Sequence, residues 1–341
     1  MQLEEYLKTN SSEYFSLYEN IKQAAEDIWR EARLGWYTDH GAGHSSRIVD
    51  LLDQMCGDLL LTENRSFGLR PDEVFLLLSA TWLHDIGMQD LSDLNEKSVD
   101  QQTEAEWEAV RKRHPQRSCE IISSYASGSP EKNPFDLGLN TGKDVYTPLS
   151  LICKGHGSAY YEEVATKLNK RNFNIEGRGE PVRGALLTSL LLLADELDLH
   201  GSRAVWKKNY PLSNISELHY FRHHFVNHVE VVKLNAVDKQ IQITLALPEV
   251  PLNNNWAEDL QSWLERKLNF ELNRTEEHIR AGFDGHLKWG ANNEPAVVFI
   301  KEPAEPNEKK LPPKEIINLL ERETTHVLDW KEATKKINPS S

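Results

Sequence analysis

Cationic side chains are in short supply: 39 lysines and arginines face 53 aspartates and glutamates, for a formal net charge of −14. A surface of that sign repels phosphates, which excludes a protein that coats nucleic acid through general electrostatics; an anionic ligand must meet local positive charge instead. Cysteine is also scarce. The three present, Cys56, Cys119 and Cys153, are odd in number and lack metal-type spacing, which argues against a disulfide framework or a thiolate metal site and fits a reducing cytoplasm. Long apolar runs are missing. The longest, Ala185 to Leu193, contains Thr188 and Ser189 and runs into Asp195, Glu196 and Asp198, so it is too short to cross a bilayer and reads as a buried helix. The opening Met1, Gln2, Leu3, Glu4, Glu5 has neither the basic flank nor the apolar core of a signal peptide. No internal repeat is detectable. The expectation is a cytoplasmic globular protein with no membrane partner.

The chain does carry ample core material, with 39% of its 341 residues hydrophobic, enough for a main domain of about 200 residues and a smaller one. Apolar residues recur at three- and four-residue steps over residues 13–33 and 43–61, which predicts amphipathic helices. Pro71 followed by Asp72 and Glu73 is a helix start, since proline suits the first turn and acids favour the positive end of the dipole. The helix it opens is apolar nearly all round and belongs in the middle of a domain. Further helices are expected from His114 and Pro115, over residues 148–155, and from Pro181 to about Leu199, with residues 128–142 as a loop. After residue 210 the pattern changes. Residues 229–233 and 240–248 alternate β-branched and polar side chains around a turn at residues 236–238, which predicts a β-hairpin. Trp256, Leu260, Trp263, Leu264, Leu268 and Leu272 mark another helix, residues 296–300 a short strand. Prolines 303, 306, 312 and 313 introduce a polar terminal helix over about residues 314–323 and a mobile tail. The fold class expected is mainly α: a helical bundle over 1–210, a small α+β appendage over 211–302, and a Pro/charged linker with terminal helix or tail over 303–341.

Chemistry enters with Trp82-Leu83-His84-Asp85-Ile86-Gly87-Met88, where a histidine and an aspartate stand side by side in the most hydrophobic helix. A buried carboxylate costs several kcal/mol unless it is paired or metal-bound. Gly87 supplies an end to that helix, where a pocket can open. The same anomaly recurs at Asp195 inside a leucine-rich helix, and two buried carboxylates in two core helices call for a shared cation. His44, near the start of a helix and after Gly41-Ala42-Gly43, is a third ligand. Two imidazoles and two carboxylates suit Mn²⁺, Fe²⁺, Co²⁺, Ni²⁺ or Zn²⁺, with Mg²⁺ a further choice for phosphate chemistry. The competing reading is buried, hydrogen-bonded polar groups without a metal. The histidines 219, 223, 224 and 228 among Tyr220, Phe221 and Phe225 read as packing rather than a metal site, since no carboxylate or cysteine is interleaved. Trp256 and Trp263 read as core anchors.

A helix-borne histidine at 44, the doublet His84-Asp85 and a late Asp195 together resemble the HD superfamily of metal-dependent phosphohydrolases, over roughly residues 35–205. The wording Tyr37-Thr38-Asp39-His40-Gly41 before His44-Ser45-Ser46-Arg47, and Leu193-Ala194-Asp195-Glu196-Leu197-Asp198 before Arg203, is similar to the HD-CE branch. The resemblance implies a phosphohydrolase that cleaves phosphoester or phosphoanhydride bonds of nucleotides by metal-activated water, with one or two divalent ions. Many HD enzymes hold the second ion through two histidines between the doublet and the last aspartate; His114 and His156 occupy that interval, and Asp85 would bridge both ions. A helix-start capping role competes at His114. His156 or His40 is the expected general acid, and Lys154, Arg47 or Arg203 the phosphate binder. Against these stand His40 as a support for His44, Arg47 paired with Asp50, and Asp198 either orienting Arg203 or capping its helix. The cations Arg111, Lys112, Arg113 and Arg117 around His114, with Lys207 and Lys208, add local positive charge or are simply solvated.

The alternatives are an HD-type nuclease on single strands, which the acidic balance opposes, and a catalytically idle sensor or docking module using the tail from Lys309 to Ser341. Metal content separates the last from an enzyme. The HD-CE branch often accompanies Hsp90-like ATPases in bacterial conflict systems, so the resemblance implies such an ATPase or another antiviral-defence component as partner, with homo-oligomerisation as in many HD proteins. No ATPase module is visible in this chain.

Overall fold

The computed structural model describes residues 2–30, 39–60, 67–94, 97, 101–129, 135–139, 144–170, 180–203, 229–235, 240–247, 256–285 and 297–303. In order, α1 is Gln2–Asn10, α2 Ser12–Ile28, α3 Ala42–Leu60, α4 Pro71–Leu83, α5 Glu104–Ala126, α6 Tyr146–Gly155, α7 Tyr161–Lys170, α8 Gly184–Leu197, β1 Val229–Asn235, β2 Gln240–Leu247, α9 Trp256–Gly282 and β3 Val297–Pro303. The fold is mainly α with a small C-terminal sheet. No helix among the described residues is long and apolar enough to cross a membrane. The chain divides into two units, one of Met1–Gly35, His40–Asp198 and Asn273–Lys288, the other of Trp36–Asp39, Leu199–Leu272 and Trp289–Ser341. The expected boundary near residue 210 and the terminal helix and tail lie outside the described residues.

In the first unit α4 is the central element. Every residue from Asp72 to Leu83 is buried, because Val74 with the leucines and aromatics at 75–78, 82 and 83 leaves it without a polar face. Its first turn shows why acids stand there: Glu73 accepts from the Arg70 amide at 3.1 Å and from Arg183, whose Nε and Nη2 lie 2.9 and 2.6 Å from its two oxygens. Arg183 also donates to the carbonyls of Phe67, Gly68 and Gly282. Burial would raise the Glu73 carboxyl, but Arg183, with Arg70 behind it, outweighs burial and holds it below the ordinary glutamate value. α8 is buried along nearly its whole length. Its two hydroxyls are satisfied within the helix, Thr188 donating to the Gly184 carbonyl and Ser189 to that of Ala185. The helix begins at Gly184 rather than Pro181, since Arg183, its N-cap, has a non-helical backbone (φ −78°, ψ 65°) and gives its amide to Glu73.

The expected helix start at His114 is corrected. α5 runs through that point from a capping box in which Thr103 accepts from the Glu106 amide and Glu106 from the Thr103 amide. Pro115 therefore lies inside the helix, where the missing N–H leaves the carbonyl four residues back, that of Arg111, without its helical donor. His114 Nδ1 donates to that carbonyl. The proline ring is buried and backs onto Gly157, where an added Cβ would lie 2.6 Å from Pro115 Cγ. A residue that reads as a helix breaker thus seats α5 against the end of α6.

The second unit holds a three-stranded sheet of order β1-β2-β3. β1 and β2 form the expected antiparallel hairpin, with a register shift between Val229 and Val231. β3 pairs parallel to β2 from Ile241–Val297 to Leu247–Pro303, a geometry that needs a long connection; α9 lies in that connection. Ile241, Ile243 and Leu245 of β2 are buried while Gln242 and Thr244 are not, the period of two expected of a sheet with one covered face. α9 continues ten residues beyond the expected Leu272, with Thr275, Ile279 and then Phe283 buried at three- and four-residue steps.

Candidate metal centre

The site is assembled at helix ends. α4 stops at Leu83, and His84, its C-cap, donates Nδ1–H to the Thr81 carbonyl at 3.0 Å. At Asp85 the chain leaves helical geometry and enters a tight turn over Ile86–Gln89. That turn rests on α5: the Gly87 amide donates to Ser118 Oγ at 2.9 Å, and Ser118 Oγ donates to the His84 carbonyl at 2.6 Å. Gly87 has no room for a side chain, since a Cβ there would stand 2.3 Å from the His114 carbonyl oxygen and 2.8 Å from the Ser118 nitrogen. The doublet and His114 are brought together by that contact. His156 caps the C-terminus of α6 and donates Nδ1–H to the Cys153 carbonyl. His44, in the first turn of α3, donates Nδ1–H to Asp198 Oδ2 at 2.6 Å, and Asp195 comes from the last turn of α8.

With the four Nδ1 atoms so engaged, the four Nε2 atoms converge on two carboxylates. His44 Nε2 lies 3.1 Å from Asp195 Oδ1 and 3.5 Å from Asp85 Oδ2; His84 Nε2 lies 3.1 Å from the same Asp85 oxygen and 3.9 Å from Asp195 Oδ1. The other oxygen, Asp85 Oδ1, faces His114 Nε2 at 3.0 Å and His156 Nε2 at 3.4 Å. The rings follow one another at 5.3 Å from His44 to His84, 4.7 Å from His84 to His156 and 5.0 Å from His156 to His114. His44, His84 and Asp195 form one set of ligand atoms within 4.8 Å of one another, and His84, Asp85 and His156 another.

This donor set fits a cation. His44 Nε2, His84 Nε2 and Asp85 Oδ2 are buried without a hydrogen-bond partner; with the ring protons on Nδ1, neutral imidazoles turn lone pairs toward carboxylate oxygens, and a cation among them satisfies both. His114 Nε2 and His156 Nε2 are 2.9 Å apart. Both rings already carry their proton on Nδ1, so two lone pairs face each other unless a positive charge stands among them. The electrostatics agree. Burial would raise Asp85, but His84 first, and then His114 and His156, hold it well below the ordinary aspartate range. Asp195, against the same burial, is lowered first by the imidazole of His44 beside it and then by the charge of His84. Burial lowers His84, yet the two carboxylates outweigh it and push its pKa up to about 9. A protonated His84 and a metal-binding His84 are two answers to one negative field: in the absence of an ion, a proton is the cation the carboxylates attract. His156 moves the other way, lowered chiefly by burial, which keeps it in the neutral form a metal requires.

His44, His84, Asp85, His114, His156 and Asp195, singled out in the sequence, thus come together. His40 stands beside them, its ring 5.7 Å from that of His44. Lys154 is turned to Glu163 at 3.4 Å and lies 5.1 Å over the Tyr160 ring. Arg47 is held by Asp198, its Nε 2.9 and 3.1 Å from the two oxygens, and not by Asp50. Arg203, in the second unit, donates Nε–H to the Asp39 carbonyl at 3.0 Å. Arg117 pairs with Asp90 at 2.9 Å. The histidines 219–228 and the lysines 207 and 208 lie outside the described residues. Two contributors escaped sequence reading: Asp198 as the partner of His44, and Ser118 as the clamp on the doublet. Asp198 is distinguishable only by its register, three residues after Asp195; a serine in a helix carries no such signal.

Compared with known proteins, the chain matches a family model described as HD-CE over residues 34–274, more than half its length. No curated protein and no solved structure matches it.

Proposed function

The chain belongs to the HD-CE family, and from that premise we propose that it is a metal-dependent phosphohydrolase acting on nucleotides. The observation that carries the proposal is the convergence of four Nε2 atoms on Asp85 and Asp195 in a buried pocket of charge. His44, His84, Asp85 and Asp195 would hold one ion, and Asp85 through its second oxygen, with His114 and His156, another. Such ions acidify a water and neutralise charge developing on phosphoryl oxygens.

The chain's own residues set the conditions for that chemistry. The Nδ1 protons are parked on carbonyls or on Asp198, so the imidazoles offer lone pairs inward. His44 and His84 are fully buried and Asp85 nearly so, while the side chains of His114 and Asp195 are 13% and 20% exposed. Substrate and water would therefore approach past His114 and Asp195. His40, beside His44, is the better-placed proton donor of the two considered, since His156 is lowered in pKa and enclosed among ligands. Nucleotides are favoured over a nucleic-acid strand because the net charge is −14 and Arg117, in the one basic cluster near His114, is paired with Asp90. Partnership with an Hsp90-like ATPase or another defence component rests on the resemblance alone.

The test is elemental analysis of the purified chain, then phosphate release from a nucleotide panel with Mn²⁺, Mg²⁺, Co²⁺, Ni²⁺ or Zn²⁺. About two ions per chain and metal-dependent release are expected. Asp85→Ala should lose both while keeping its helical circular dichroism. Wild-type turnover by that variant, or no metal and no turnover by the wild type, would sink the reading and leave a binding module.

A further inference from the structure

Three of the four clustered histidines are locked by their own backbone. His84, His114 and His156 each donate Nδ1–H to the carbonyl three residues earlier, of Thr81, Arg111 and Cys153. His44 donates instead to a side chain 154 residues away, Asp198 Oδ2 at 2.6 Å. Asp198 is only 2% exposed and forms the C-cap of α8, one turn beyond Asp195. Its carboxylate is in turn gripped by Arg47 Nε at 2.9 and 3.1 Å, and Arg47 stands three residues after His44 on α3. The three residues close a loop between the helix that carries His44 and the helix that carries Asp195.

We propose that Asp198, anchored by Arg47, is a positioning residue that fixes His44 as the Nδ1–H tautomer and aims its Nε2 at the ion shared with His84, Asp85 and Asp195. The role of the ion rests on the phosphohydrolase reading; the tautomer does not. A carboxylate brings what a backbone carbonyl cannot. It carries full charge, so the hydrogen bond is charge-assisted and the imidazole becomes a stronger donor through Nε2. It is also a side chain, so its hold on the ring can be altered by substitution without touching a helix backbone. The affinity of this ion is therefore set by residues outside its ligand shell, whereas the His114 and His156 side is set by α5 and α6 themselves. A plain salt bridge stapling α3 to α8 is the competing role, and it predicts loss of stability without any preference between the two ions.

The test uses the full chain. Mn²⁺ is titrated by calorimetry into the His114→Ala/His156→Ala protein, designed to leave only the ion at His44, His84, Asp85 and Asp195, and into the same protein carrying Asp198→Asn, Asp198→Glu or Arg47→Met. Asp198→Asn is expected to weaken Mn²⁺ binding about 10- to 100-fold, Arg47→Met by less, and Asp198→Glu to recover part of the loss. In parallel, ¹⁵N NMR of histidine-labelled, metal-free wild type should show His44 protonated on Nδ1. A folded Asp198→Asn chain with undiminished Mn²⁺ affinity, or His44 protonated on Nε2 and not on Nδ1 in the wild type, overturns the proposal. If Asp198→Asn does not fold, an Arg47→Met chain with undiminished affinity overturns it equally. Failure of the wild type to bind any divalent ion overturns the phosphohydrolase reading, and the His44 tautomer then decides the geometry on its own.

Discussion

At Gly87 the distance between two helices is decided by the absence of one carbon atom. A Cβ there would stand 2.3 Å from the His114 carbonyl oxygen, so Gly87→Ala must push α5 and His114 away from the doublet. The expected result is a destabilisation of about 1–3 kcal/mol, as for an overpacked core, together with weaker binding of any ion that His114 and His156 would hold. Thermal unfolding and metal stoichiometry measured on one preparation check both parts, and a variant that unfolds like the wild type and still binds the full complement contradicts the clamp. Ser118 is the other half of that contact. Ser118→Ala leaves the Gly87 amide and the His84 carbonyl without their hydroxyl partner, which costs about 1–3 kcal/mol for buried groups. A denaturant midpoint unchanged from wild type would contradict it. The residues that cluster at the candidate metal centre were legible in the sequence because a charged pair in an apolar helix is costly enough to need a reason. Ser118 was not legible, since its function exists only once α5 packs on the end of α4 and the turn that follows it.

Element by element, the helices that sequence periodicity located most easily are those whose apolar pattern is unbroken, α4 and α8. The boundaries that moved are those set by contacts. α5 absorbs Pro115 because His114 Nδ1 answers the carbonyl the proline orphans and Gly157 makes room for the ring; neither compensation can be read from a single segment. α8 starts late because Arg183, held by Glu73 and the Gly282 carbonyl, takes a non-helical backbone just before it. That Glu73–Arg183 pair ties the start of α4 to the start of α8 and gives a pH prediction. The folded Glu73 pKa lies below its ordinary value of 4.5, so its stabilisation is present above about pH 4.5 and is lost as pH falls through the lowered native value. Glu73→Gln should flatten the acid limb of the stability profile. It should also cost about 3 kcal/mol near pH 7, the low end for breaking a buried pair, because the Arg183 side chain is 26% exposed. Chemical denaturation from pH 3 to pH 7 would show parallel wild-type and variant curves if the pair contributes nothing.

For the whole molecule, the consequence of placing two carboxylates among four histidines is that folding and the proposed ion binding would be linked. An ion that binds only the folded chain adds about 2.7 kcal/mol at a free concentration a hundred times its dissociation constant. The melting temperature should therefore rise with added Mn²⁺ or Co²⁺ and fall on chelation, and His84→Ala should remove most of that response. A melting temperature indifferent to both ion and chelator would point to a hydrogen-bonded polar cluster instead. The amino-acid sequence by itself determined the mainly helical class, the hairpin, the histidines and aspartates that cluster at the candidate metal centre and the family, because periodicity and the cost of buried charge are properties of local segments and residue types. Only the tertiary structure decided how Asp85 divides its two oxygens between two pairs of histidines, that Arg47 belongs to Asp198, and that β3 joins the sheet in parallel. Each of those depends on which atoms face one another after distant segments pack, and hydrogen-bond direction and distance at that point carry no trace in the order of the residues.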